Sequence, residues 1–220
     1  MKTFNSHDPM KTSNYRMGIL ASAAPAVLSA VGQGVETVND LVARIKSKDD
    51  NIRGPAWQTA ESAGAPAVRP LAEVMMDPDF ETARAAKRAL YRIVRHAGRP
   101  GAKHEAEAVT GELVLVLGSA PARVRREAVW MLSEIAGDKA VPAMAALLAD
   151  PEVREDARCA LMRLSSRKAT SALKTAFANA PEEFKYALGE ALRERGVKLN
   201  GYPSQKLVPS RKTTVGESAG

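Results

Sequence analysis

A single cysteine, Cys159, occurs in 220 residues, so no intrachain disulfide can form, and neither a cysteine-based zinc site nor an iron–sulfur cluster can be assembled. Histidines number three: His7 lies near the N-terminus, and His96 and His104 share one short stretch with no cysteine or carboxylate cluster at metal-ligand spacing. No metal or other cofactor is expected. Aromatic residues make up 5% of the chain, which disfavours an aromatic-lined pocket or a β-sandwich core. There is no Walker-type phosphate loop and no G-x-S-x-G turn; Gly98 and Gly101 flank Pro100 in a connector instead. The small-residue apolar run from Met17 to Val31 is broken by Pro25 and is too short and weakly apolar to span a bilayer, so no integral membrane segment is expected. What the chain has in quantity is alanine, at 39 positions, within a 45% apolar and 26% charged composition ordinary for a globular body. Such a composition predicts close-packed helices.

Self-similarity organises the chain between Gly34 and Val197. The segments Ile52-Arg53-Gly54-Pro55-Ala56, Val124-Arg125-Arg126-Glu127-Ala128 and Val153-Arg154-Glu155-Asp156-Ala157 superimpose without gaps. In that register Ala56, Ala86, Ala128 and Ala157 form a column closed by Leu188, and Ala60, Leu90, Leu132, Leu161 and Leu192 form a second column four residues on. The spacing is about thirty residues, with one insertion of about twelve before Ala128. An i, i+4 pair puts both columns on one helical face, where the small residue admits a neighbouring helix. Ala67 to Leu71, Ala140 to Met144 and Ala169 to Leu173 align as the second helix of each unit. Gly64 and Gly137 serve as breakers within units, and Asp77-Pro78 and Asp150-Pro151 as breakers between them. The run Leu113 to Leu117 is assigned to the second helix of the inserted unit, buried between layers, rather than to a strand. The expected fold is all-α, an α-solenoid of about five helix pairs over residues 35–197.

The flanks differ. Residues 1–34 pass from a basic polar start (Lys11, Arg16) into the small apolar run and then Ala30-Val31-Gly32, an order that fits either a secretory signal or a loosely docked helix. Exported and cytoplasmic locations both stay open. Residues 198–220, rich in Gly, Pro, Ser, Thr and Lys, are expected to form a disordered tail.

The thirty-residue period, the paired helices, the start Asp150-Pro151-Glu152-Val153-Arg154 and the A-x-x-x-L seam together resemble the short bacterial HEAT repeats, a type also found in phycobilin lyases. The stretch Ala83 to Gly101 is also similar to part of a bacterial HEAT-repeat group without an assigned activity. The resemblance implies a curved scaffold that binds a partner, usually a protein. It leaves oligomeric state open.

Charge is uneven. Between Thr82 and His104 there is no acidic residue, while Arg84, Lys87, Arg88, Arg92, Arg95, Arg99 and Lys103 all fall there. Removing these seven from the 32 basic residues leaves 25, equal to the 25 acidic ones, so the whole +7 excess is local. On a helix, Arg84, Arg88, Arg92 and Arg95 project within about 80° of one another, with Lys87 about 60° to the side. Such a face suits phosphates or a carboxylate-rich protein surface. The alternative is a solvated face paired with acids such as Glu73, Glu105 or Glu107.

Other candidates are structural first. Arg53, Arg125 and Arg154, with Lys185 in the same register, predict a packing ladder to Asp50, Glu127, Asp150 or Glu155; a row of anion ligands is the competing reading. Trp57, placed near a helix start and partly exposed, is a candidate protein anchor together with Tyr91 and Arg99. Trp130 and Glu134, at i, i+4, resemble the aromatic-plus-carboxylate pair of HEAT-like alkylpurine DNA glycosylases, but the tryptophan run followed by aspartate that marks that family is missing. Cys159 falls in the seam as a small apolar filler. The expected role is a non-enzymatic protein-interaction scaffold. Binding of nucleic acid or another polyanion through the basic segment is the alternative, and an enzyme on the same scaffold, lyase or glycosylase-like, comes third.

Overall fold

The computed structural model describes residues 38–204; the possible signal segment and the tail beyond 204 lie outside it. Ten α-helices follow one another in the described residues, with no strand: α1 (38–45), α2 (Asp50–Gln58), α3 (Val68–Val74), α4 (Phe80–Ala97), α5 (Lys103–Ser119), α6 (Ala122–Ile135), α7 (Val141–Ala146), α8 (Arg154–Arg163), α9 (Arg167–Asn179) and α10 (Glu182–Glu194). Short 3-10 turns lead into α3 and α7, after Gly64 and Gly137. Gly64 has φ +58°, a backbone setting that glycine adopts without strain.

The even-numbered helices pack in succession, α2 on α4, α4 on α6, α6 on α8 and α8 on α10. The odd-numbered helices α3, α5, α7 and α9 do the same in a second layer, as an α-solenoid of five helix pairs requires. Both columns read from the sequence lie in the even layer. Ala56, Ala86, Ala128, Ala157 and Leu188 are buried, as are Ala60, Leu90, Leu132, Leu161 and Leu192. The second-helix segments also pack inward, through Leu71, Met144 and Leu173.

The insertion of about twelve residues adds no separate loop. It lengthens α4 to 18 residues and α5 to 17, the longest helices among the described residues. Within α5, Leu113, Val116 and Leu117 are buried, but Leu115 is 53% exposed, so the apolar run is not enclosed all round. A five-residue helical stretch turns through more than a full circle, and one member must face outward.

Polar contacts tie successive layers. Asp79 caps α4 by accepting from the Thr82 N–H and is paired with Lys48 from the preceding layer at 2.9 Å. Asp150 accepts from the Glu152 N–H and from Arg125 at 2.6 Å. Arg154 reaches Glu183 at 3.7 Å and lies over the Phe184 ring. Arg53 stays within its own layer, on Asp50 and the Ser47 carbonyl, and Lys185 bonds Glu182 of its own helix. The cations of the expected ladder therefore do bond acids, Asp50 and Asp150 included. Glu127 and Glu155 are engaged elsewhere, by Lys87 and Arg158. At the far end, Arg195 donates to the Leu161, Met162 and Leu164 carbonyls, capping α8 from α10.

The chain after α10 does not leave the body at residue 198. Tyr202 packs edge-on against Phe177 and Tyr186, and Arg193 donates to the Tyr202 carbonyl at 2.7 Å. A composition poor in apolar residues concealed one aromatic that covers the last helix pair.

The seam gives a direct test. Ala128→Leu, which overfills a close helix approach, should cost about 1–3 kcal/mol, and Leu132→Ala about 2–5 kcal/mol, in urea unfolding. A second test uses pH. Lys48 and then the Thr82 cap bond hold the Asp79 carboxyl, and the Glu152 N–H and then Arg125 hold the Asp150 carboxyl, below the ordinary aspartate value. Their stabilisation is present above about pH 4 and is lost as pH falls toward the folded-state values, because the unfolded chain takes up those protons first. Asp79→Asn should therefore be less stable than the parent near neutral pH, and the gap should close below about pH 4.

Candidate functional site

The exposed face of α4 is the floor of a groove of about 610 Å³, with Trp57 of α2 on one side and Arg123 and Glu127 of α6 on the other. The repeat positions α4 there because Ala86 and Leu90 face the seam, which turns residues 84, 87, 88, 91, 92 and 95 outward. Five of the seven predicted basic residues, Arg84, Lys87, Arg88, Arg92 and Arg95, line this groove together with Tyr91. Arg99 and Lys103 do not. Arg99 forms two 2.7 Å contacts with Glu105 and also donates to the His96 carbonyl. Lys103 borders a separate cleft with His104 and Asp138.

Most of the groove cations have internal partners. Lys87 bonds Glu127; Arg92 meets Glu61 at 3.3 Å, Arg84 meets Glu81 at 3.3 Å and Arg95 meets Glu134 at 3.6 Å. The acids proposed from sequence were Glu73, Glu105 and Glu107; only Glu105 pairs with the basic segment, through Arg99 and His96. Glu81 lies one turn from Arg84 on α4 itself, while Glu61, Glu127 and Glu134 come from lateral neighbours in the even layer, a relation that distance along the chain does not reveal. Arg88 instead stacks over the Trp57 ring, 4.9 Å from its centroid. Arg123 donates to the Met75 carbonyl at 2.6 Å. Among the described residues neither guanidinium has a carboxylate partner, and six lining cations face four acids, a surplus of two.

Phe80, Arg123 and Met75 were not singled out in the sequence, yet they build one end of the groove. Phe80 is 73% exposed at the first position of α4, just after its Asp79 cap. A large aromatic at a helix start outside the apolar columns was the available signal. Trp57 is half-buried as expected, but it stands at the end of α2 rather than its beginning. Tyr91 donates to Glu127 at 3.2 Å; burial first, then the Glu127 charge and that hydrogen bond, push its phenol well above the ordinary tyrosine value.

The remaining candidates are committed to packing. The Trp130 indole donates to Asp156 at 2.8 Å, and Glu134 is paired with Arg95, so the two do not form a free aromatic–carboxylate couple. Burial pushes the Cys159 thiol upward, away from the thiolate a nucleophile needs. Among the described residues there is no cluster of three metal-ligating side chains, and no helix is long and apolar enough to cross a membrane.

The class defined so far is a two-layer helical-repeat protein with an open groove on one layer. A family model described as HEAT repeats matches residues 111–193, the part running from α5 to α10. No curated protein matches the chain. Among solved structures, a designed armadillo repeat protein in complex with the peptide (KR)4 is similar at 17% identity over 78% of this chain and 95% of that one, with a TM-score of 0.42. An engineered protein solved by the Northeast Structural Genomics Consortium is similar at 23% identity over 77% and 81% of the two chains, with a TM-score of 0.37.

The Tyr91–Glu127 contact is open to spectrophotometric titration. The Tyr91 phenol should ionise above the normal tyrosine range, and Glu127→Gln should bring it down. Tyr91→Phe should remove that transition.

Proposed function

We propose that the chain is a non-enzymatic protein-binding scaffold and that the groove between α2, α4 and α6 is its docking surface. The observation that carries this reading is the combination on one face of the exposed Phe80 and the half-buried Trp57 and Tyr91 with several arginines. Interfaces draw their anchors from those residue types, and helices held by a buried seam present them without an ordering cost. Trp57 and Tyr91 serve as anchors, and the arginines fix orientation. Arg99, satisfied by Glu105, contributes less.

The alternative, a nucleic-acid or polyanion site along Arg84, Lys87, Arg88, Arg92 and Arg95, draws on the net positive charge of the groove. It is the weaker reading, because four of those five cations are already held by carboxylates. Salt separates the two: a site that neutralises several phosphates loses affinity steeply between about 50 and 200 mM salt.

The test is site-specific photocrosslinking. A photoreactive residue at position 80, compared with one at exposed position 174 on α9, should capture a discrete protein from native extract only from position 80. Capture should survive nuclease and vanish with excess unlabelled chain. Equal labelling from both positions, or adducts that disappear with nuclease, would reject the scaffold reading.

A further inference from the structure

The groove's charge and the aromatic side chains that line it together identify the kind of partner it fits. We infer that its occupant is an acidic protein segment carrying at least one large apolar side chain, bound with carboxylates on Arg88 and Arg123 and the apolar side chain against Phe80 and Met75. This inference rests on the docking reading above and specifies its partner.

Three observations carry it. The first is the surplus of two cations, located at Arg88 and Arg123, which lack internal carboxylates among the described residues. Its place over the Trp57 ring, 4.9 Å from the centroid, holds the Arg88 guanidinium at the groove without supplying a counter-charge. Arg123 stands in the first turn of α6, where the helix dipole disfavours a cation and no acidic residue compensates it. A bound carboxylate would relieve both.

The second is the Phe80 ring, 73% exposed in the groove lining with the largely buried Met75, an apolar surface that a bare polyanion leaves wet. The third concerns the chain's own ends. Outside the described residues, the N-terminal part carries Lys2, Lys11 and Arg16 against Asp8 and Glu36, and the C-terminal part carries Lys206, Arg211 and Lys212 against Glu217. Both ends are net basic, so like charge opposes either of them as the occupant. From Arg84 to Arg95 the floor is about 16 Å long at 1.5 Å per residue, room for about five extended residues.

The experiment uses the full chain in a Trp130→Phe background, which leaves Trp57 as the reporting tryptophan. Four probes are titrated: a synthetic peptide of glutamates interspersed with leucine and phenylalanine, its lysine-for-glutamate twin, an all-glutamate peptide and an oligothymidylate. The expected result is saturable change in Trp57 fluorescence with the first peptide, at least tenfold weaker binding of the other three, and at least tenfold loss in an Arg88→Gln, Arg123→Gln double variant that keeps its helical circular dichroism. Equal binding of the lysine twin, preference for the oligothymidylate, no binding of the first peptide, or an unaffected double variant would each overturn the inference. If position 80 still crosslinks a protein in those cases, the scaffold reading survives and only the partner chemistry falls. Self-association at micromolar concentration that Phe80→Asp abolishes would replace the acidic segment with a second copy of the chain.

Discussion

Ala56, Ala86, Ala128 and Ala157 are buried where α2, α4, α6 and α8 pack in succession, their small side chains admit a neighbouring helix, and the outward positions of the even layer follow from that packing. Because interiors are packed at crystal-like density, the seam cannot rotate without opening voids or driving Leu90, Leu132 and Leu161 into backbone. The seam, the packing of α4 on α3 and α5, and the Asp79 cap tied to Lys48 then position α4. The groove is the residue of that geometry. Nothing in it needs to fold separately, since floor and walls are the unburied sides of helices already packed for other reasons.

Electrostatics in the groove orders more than it stabilises. Exposed ion pairs contribute about 0–1 kcal/mol each, and the Arg84–Glu81, Arg92–Glu61 and Arg95–Glu134 contacts, at 3.3–3.6 Å, are of that type. Their effect is to hold long side chains along the groove, and Phe80 stays uncovered. A partner that exchanged one of these pairs for its own carboxylate would lose little. The lateral Lys87–Glu127–Tyr91 cluster is different, because Tyr91 is half-buried and the cluster joins α4 to α6 near the middle of the wall.

Much of the architecture was legible because a repeat writes its packing into local sequence: an alanine and a leucine four residues apart, recurring near every thirty residues, can be aligned by eye. Ion-pair identity was not. Glu127 lies 40 residues from Lys87 and Glu61 lies 31 from Arg92, and both become neighbours only through side-by-side stacking of helices. Glu105 was found because it sits six residues from Arg99. The insertion was legible in length and not in form, since added residues that keep helical periodicity extend α4 and α5 instead of looping out. Tyr202 escaped for the opposite reason: a lone aromatic in a polar stretch has no periodicity, yet Phe177 and Tyr186 offer it an edge-on seat.

Part of the basic stretch has a purely local cause. Asp79 and Glu81 stand at the start of α4 and Arg95 and His96 in its last turn, the arrangement that a helix macrodipole favours. Lengthening α4 to 18 residues separates those ends and leaves a middle whose charges the dipole does not select. Arg84 is met there by Glu81 and Lys87 by Glu127, while Arg88 rests on an indole that supplies no counter-charge. Arg123 goes further against local preference, a cation in the first turn of α6 anchored to the Met75 carbonyl and Met76 sulfur. Arg88, in a stretch of helix whose charges the field does not select, and Arg123, set against the field of its own helix, border the same groove.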